Sequence, residues 1–303
     1  MLSIKKCNLC PHNCLVDRTK NKKGFCKAGN KVKIALADVF RYEEPCISGR
    51  NGSGAVFFSN CNLNCVYCQN YVISSENKGK EISVKELADI FIKLQDKKCD
   101  NINLVTPTIY ALQIKEALKL AKASGLYIPV IYNSSGYESI ETLKELDGLI
   151  NVYLPDFKYA KNELGFKYSG IRNYCTVAIN SIFEMKKQVG NVEMDKDGII
   201  KKGLIIRHLI LPNNVKNSKE VLNLILENFG VDTYISVMAQ YFPTNISVKF
   251  PELNRKIKKE ELKIVENYMY EIGFENGYIQ DFGKHEEEYV PNFNINEKTN
   301  ETP

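Results

Sequence analysis

The chain has 303 residues, 44% of them hydrophobic, enough for one large core or a core domain with a small appendage. Its net charge is +5, with Lys spread along the chain and no dense basic stripe, so nucleic-acid binding is not indicated. No apolar run reaches the length of a membrane span. Of ten cysteines, seven fall in two clusters at metal-ligand spacings, and no apolar signal segment follows Met1. Together these read as metal sites in a reducing cytoplasm.

Residues 1–30 hold Cys7, Cys10, Cys14 and Cys26 in a C-x2-C-x3-C-x11-C pattern, with Pro11 and Gly24 as turn residues. So short a segment cannot fold on apolar burial alone, so a metal is expected to stabilise it. Four thiolates suit zinc or a second iron–sulfur cluster, and both remain open. His12, inside this cluster, reads as a surface residue.

Residues 31–53 read as a connector over the entrance of the main domain, with a strand over Val32–Ala37. Glu43-Glu44 reads as a solvated acidic turn, acid/base work being the alternative, and Cys46 as a buried small residue.

From residue 54 the pattern alternates. Ala55-Val56-Phe57-Phe58 is a buried strand, and beyond its C-terminal end come Cys61, Cys65 and Cys68 at C-x3-C-x2-C spacing. Three thiolates in one loop ligate three irons of a cubic cluster and leave the fourth open to a small molecule. A structural zinc site is the competing reading, and it lacks a nearby fourth ligand.

Ser83-Val84-Lys85-Glu86 is a capping box opening a helix through Leu94. A second strand, Ile102–Val105, ends in Thr106-Pro107-Thr108, and a helix follows to Gly125. A third strand, Tyr127–Tyr132, ends in Asn133-Ser134-Ser135-Gly136, and a helix with Ile140, Leu143 and Leu146 comes next. A fourth, Leu149–Leu154, ends in Pro155-Asp156-Phe157-Lys158, where alternation puts Asp156 and Lys158 on one face. Residues 159–174 read as a polar, aromatic-rich loop, followed by a helix over Val177–Val189.

Asp195-Lys196-Asp197-Gly198 signals a hairpin turn. The fifth strand is Leu204–Leu211 and contains Arg207 and His208, of which only one can face the interior. A helix over Ser218–Phe229, a sixth strand over Tyr234–Met238, a helix over Lys259–Ile272 and a short strand near Gly277–Gln280 complete the pattern. His285 reads as solvated and residues 294–303 as disordered. Six strands alternating with helices argue for a parallel α/β architecture, in which a doubly wound sheet is the runner-up.

The C-x3-C-x-aromatic-C run of Cys61, Cys65, Tyr67 and Cys68 after a first strand resembles the radical S-adenosylmethionine (SAM) superfamily. Over residues 5–290 the chain resembles relatives of the pyruvate formate-lyase activating enzyme. The resemblance implies a partial (β/α)6 barrel over 54–290; the four-cysteine metal-binding segment 1–30 and the connector 31–53 precede it, and a polar tail over 291–303 follows. It implies a [4Fe–4S] cluster on Cys61, Cys65 and Cys68, with the amino and carboxylate groups of SAM on the open iron. The reduced cluster then splits SAM to methionine and a 5′-deoxyadenosyl radical that abstracts hydrogen.

A glycine of a partner enzyme is the implied hydrogen donor; another protein, peptide or metabolite is the alternative. An electron donor such as flavodoxin or ferredoxin is also implied. Thr106, Thr108, Asn133, Ser134, Asp156, Lys158, Arg207 and His208 are the candidate SAM or substrate contacts at strand ends. The Gly-Gly-Glu-like segment of the family is replaced by Thr106-Pro107-Thr108, so Thr hydroxyls and carbonyls stand in its place. Competing classes are a two-cluster electron-transfer protein and a zinc-binding adaptor.

Overall fold

The computed structural model describes residues 1–283 and 290–293; His285 and the tail from residue 294 lie outside the described residues. In chain order the first elements are β1 (Val32–Phe40), α1 (Pro45–Ser48), β2 (Ser53–Phe58), α2 (Tyr71–Ser74), β3 (Lys80–Ile82), α3 (Val84–Asp96) and β4 (Ile102–Val105). Next come α4 (Ala111–Ala123), β5 (Val130–Ser134), α5 (Ile140–Glu145), β6 (Val152–Pro155), α6 (Asn162–Ser169) and α7 (Tyr174–Val189). The chain continues with β7 (Glu193–Met194), β8 (Ile200–Leu209), α8 (Val215–Phe229), β9 (Tyr234–Met238), α9 (Lys259–Glu271) and β10 (Gly277–Ile279).

The sheet order is β10-β9-β8-β6-β5-β4-β2-β1-β3. From β2 to β9 each strand pairs parallel with the next, and a helix covers each crossover. This is the partial (β/α)6 barrel expected, extended by β10 as a seventh parallel strand and by the antiparallel pair β1 and β3 on the other edge. Gly277 permits the last pairing: with φ +135° it lies so close to Ile235 that a Cβ would sit 1.9 Å from the Ile235 carbonyl oxygen.

Each strand sorts its side chains by alternation. Val56, Phe58, Leu104, Tyr132, Tyr153, Leu204, Ile206, Ile235 and Val237 point outward into one core shared with Leu87, Phe91, Leu118, Ile182, Leu222 and Val265 of the helices. Burying a side chain such as Phe91 contributes about 1.5–3 kcal/mol. The opposite positions are Phe57, Val105, Asn133, Asp156, Arg207, Ser236 and Met238, and these face the barrel interior. The capping box at α3 is present: Glu86 N–H donates to Ser83 Oγ at 3.1 Å, and Ser83 N–H to Glu86 Oε2 at 2.7 Å.

Three expectations are corrected. Residues 159–174 are not all loop: α6 forms there, closed by Gly170 at φ +72°. Its signal was two apolar positions four apart, Leu164 and Tyr168, too few to separate from an aromatic-rich loop. The fifth strand begins at Ile200 because it also pairs with β7 across the hairpin at Asp195–Gly198. Strands three and four begin three residues later than periodicity suggested. Among the described residues no helix is long and apolar enough to cross a membrane.

Candidate functional site

The C-terminal ends of the parallel strands border one cavity of about 530 Å³. Cys61, Cys65 and Cys68 line it, together with Thr106, Asn133, Ser134, Asp156, Lys158 and Arg207. The cysteine loop is tied down on several sides. Asn64 and Val66 N–H groups donate to the carbonyls of Ser169 and Tyr168 at the end of α6, at 3.2 and 2.8 Å. Asn62 Nδ2 donates to the Tyr137 carbonyl at 2.7 Å.

Each thiol has a polar neighbour: Leu63 N–H donates to Cys61 Sγ at 3.3 Å, Ser169 Oγ lies 3.0 Å from Cys65 Sγ, and Ser74 Oγ 3.3 Å from Cys68 Sγ. Tyr67 turns its ring into the core and its hydroxyl onto Tyr159 at 2.6 Å; Tyr159 in turn meets Ser169 at 2.7 Å. Burial pushes the Cys65 thiol up to about 11, with Lys158 pulling the other way, so a thiolate here needs positive charge beside it. Among the described residues no three His, Cys, Asp or Glu side chains are already drawn together to hold a metal ion. The fit is nonetheless consistent: three soft donors on one wall of a cavity whose volume lies in the range of small-molecule sites.

Asp156 and Lys158 share a face and pair at 2.5 Å, both largely buried. Burial opposes the Lys158 charge, but Asp156 and Cys65 outweigh it and hold the ammonium protonated. Phe157 between them is fully buried on the helix side, as alternation required. Arg207 also faces the cavity. Its guanidinium donates to Glu44 Oε1 at 2.7 Å and is paired with both Glu43 and Glu44. The Glu43-Glu44 turn is therefore not solvated: Arg207, brought by β8, draws both carboxylates into the wall. Nothing local in the sequence signals a partner 163 residues away.

Two expected contacts face away. His208 lies on the helix side, where Nδ1–H donates to the Phe157 carbonyl at 2.7 Å and Nε2 accepts from Ser218 at 2.9 Å. Thr108 turns its hydroxyl to Glu138 at 2.7 Å inside the core. Thr106 stays on the cavity with φ +61°, a left-handed conformation that a β-branched residue rarely adopts. Sequence reading also missed Ser169 and Ser74, whose hydroxyls meet the thiols; short helices bring them there, and a lone serine carries no pattern. His12 is no free surface residue: it stacks on Phe25 at 3.9 Å and its Nε2–H donates to the Asn62 carbonyl at 2.8 Å.

The four N-terminal cysteines border a second, much smaller cavity.

Comparison with known proteins agrees with this geometry. Residues 55–178 match the radical SAM superfamily. An uncharacterized protein of Methanocaldococcus jannaschii is 31% identical over 283 residues, covering 89% of this chain and 77% of that protein. Streptococcus suis SuiB, solved bound to S-adenosylmethionine, superposes with a TM-score of 0.50 at 14% identity, covering 73% of this chain and 48% of that one. HydG, a maturase of the [FeFe]-hydrogenase, gives 0.50 at 17% identity, covering 73% and 49%. The chain thus spans about half the length of these two structural neighbours. The cysteine loop after the first parallel strand and the barrel of strands agree with the match of residues 55–178: that segment is a radical SAM superfamily domain, and the chain as a whole is a relative of the uncharacterized M. jannaschii protein.

Proposed function

We propose that the chain reductively cleaves S-adenosylmethionine and uses the 5′-deoxyadenosyl radical to abstract hydrogen from a substrate. The observation that carries this reading is the presence of Cys61, Cys65 and Cys68 on one wall of the cavity into which the strand ends direct their polar groups. In this reading those three cysteines hold a [4Fe–4S] cluster. When bound and reduced, the cluster supplies the electron that breaks a carbon–sulfur bond of SAM.

The chain's own residues bind and orient. The Lys158 ammonium and Asp156 carboxylate meet the charged ends of the SAM amino-acid portion, each by a charge-assisted hydrogen bond. Thr106, Asn133 and Ser134 offer hydroxyl, amide and carbonyl groups to the rest of the molecule. Arg207, locked between Glu43 and Glu44, serves as a fixed wall. Phe57 and Tyr67, buried on the cavity wall, exclude water from the reacting atoms.

The hydrogen donor in this reading is a glycine of a partner enzyme, which the open side of a partial barrel can admit as a protein segment. A cytoplasmic setting and a flavodoxin- or ferredoxin-like electron donor complete the proposal. Cys7, Cys10, Cys14 and Cys26 form a second metal site.

The test is an anaerobic cleavage assay on reconstituted, dithionite-reduced protein, reading 5′-deoxyadenosine, beside the C61A/C65A/C68A variant. Product that depends on those cysteines supports the reading. Iron and sulfide bound to the wild type without SAM binding would replace it with electron transfer.

A further inference from the structure

The backbone of the N-terminal segment turns around its four cysteines, although their sulfurs are not drawn together as a ligand set. Cys7 N–H donates to the Val16 carbonyl at 3.0 Å and Leu15 N–H to the Cys7 carbonyl at 2.9 Å, closing a loop that contains Cys10 and Cys14. Asn13, Leu15 and Lys27 take positive φ of 44°, 55° and 58°, each next to a cysteine. Peptide N–H groups of His12, Phe25 and Ala28 point at the sulfurs of Cys10, Cys14 and Cys26. Two of these lie two residues beyond the cysteine they serve, the turn that aims a sulfur inward while donors back it. Gly24 is required where the chain passes Cys14, since a Cβ would come within 2.8 Å of its sulfur.

All four cysteines line one cavity of about 10 Å³, with Leu9, Arg18 and Ile109. That is room for roughly one water-sized body. A single ion matches this space.

Arg18 supplies the matching charge. It is 1% exposed, its Nη1 stands 3.9 Å from Cys7 Sγ, and its remaining donors meet the Gly29 and Ile109 carbonyls. Four thiolates on a divalent ion carry net negative charge, and a buried guanidinium beside them offsets part of it. The segment is docked as well as closed. Thr142 donates to the Leu9 carbonyl at 2.7 Å, Gln113 to the Asn30 carbonyl at 2.7 Å, and His12 to the carbonyl of Asn62 at 2.8 Å. Asn62 follows Cys61 directly.

We propose that Cys7, Cys10, Cys14 and Cys26 hold one zinc ion, and that this zinc knot fastens the Cys61–Cys68 loop through His12. The four-thiolate donor set and the single-ion space make it a closed structural site with no open position for substrate. The fastening gives the second metal a role in shaping the first. This part deepens the proposed function, because the loop matters only as the cluster's holder; the zinc assignment stands apart from it.

The experiment uses the full chain purified without oxygen. In C61A/C65A/C68A the assignment expects one zinc per chain and no acid-labile sulfide. Iron with sulfide in that variant, iron without sulfide, or no metal would each overturn it. Cobalt exchanged into the wild type is expected to show the ligand-field bands of a tetrahedral thiolate site, a reading that survives if Cys10→Ser does not fold. For the fastening, His12→Ala is expected to keep its zinc while the amides of residues 63–66 exchange hydrogen about fivefold faster. Unchanged exchange would overturn the fastening. Failure of SAM cleavage in the wild type leaves the zinc count and the cobalt spectrum untouched, so the two readings fail separately.

Discussion

The Ser169 hydroxyl lies 3.0 Å from the Cys65 sulfur and 2.7 Å from the Tyr159 hydroxyl, which is itself 2.6 Å from Tyr67. With a thiolate as the last acceptor, the protons align one way, from Tyr67 to Tyr159 to Ser169 to Cys65. The aromatic of the cysteine motif thus supports the loop from beneath through two further hydroxyls. A donor to a ligating sulfur stabilises the reduced, more negative cluster. Ser169→Ala is expected to lower the midpoint potential by roughly 40 mV, the one-electron equivalent of about 1 kcal/mol. Potentiometric titration followed by electron paramagnetic resonance checks it; an unchanged potential would reduce the serine to packing.

Thr106 holds φ +61° at the end of β4, on the cavity wall. A β-branched residue there carries strain of about 1–3 kcal/mol, part of which glycine would return after its own entropy cost. Thr106→Gly is expected to raise stability by about 1 kcal/mol and to weaken SAM binding, because the side chain leaves the cavity. Thermal unfolding with and without SAM measures both. A loss of stability on the glycine change would show that no strain is held there.

Strand alternation was the most legible part of the sequence. It placed Asp156 and Lys158 together and Phe157 opposite, and it allowed only one of Arg207 and His208 inside. Which of the two faces inward was not legible, because the answer depends on Glu43 and Glu44, far away in the chain, and on Ser218 of α8. Thr106-Pro107-Thr108 shows the same limit. Both threonines follow a strand end, but the left-handed turn at Thr106 leaves it on the cavity while Thr108 turns to Glu138. Local spacing reveals motif chemistry such as the cysteine loop. It does not reveal the long-range polar pairing that decides which neighbours complete the site.

Arg207 and the two glutamates form a buried triad, with side chains 10%, 8% and 5% exposed. Removing the cation alone leaves two buried carboxylates without a counter-charge, held only by neutral donors such as Asn103 on Glu43. Arg207→Ala is expected to cost about 3–5 kcal/mol. Arg207→Lys recovers little, because an ammonium cannot fork between two carboxylates. Neutralising both acids in R207A/E43Q/E44Q is expected to restore most of the loss. Denaturant unfolding of the three proteins decides it, and equal stability of the single and triple variants would mean that the carboxylates find water instead.

Glu138 is the buried acid with the clearest pH signature. It is 2% exposed and accepts from Thr108 at 2.7 Å and Tyr132 at 3.1 Å. Burial raises its pKa from the ordinary 4.5 to about 7, against those hydrogen bonds. Below 4.5 the folded and unfolded chains both hold the proton. Between 4.5 and 7 the unfolded chain has released it and the folded one has not, so stability falls as pH rises and levels off above 7. The span is about 3 kcal/mol. Glu138→Gln cannot ionise, so its stability relative to wild type is expected to improve by most of that amount from about pH 5 to about pH 8. Paired melting curves at the two pH values measure it. A difference that does not change with pH would mean that Glu138 ionises as freely in the fold as outside it, and the ends of β4 and β5 would then be wetter than their packing indicates.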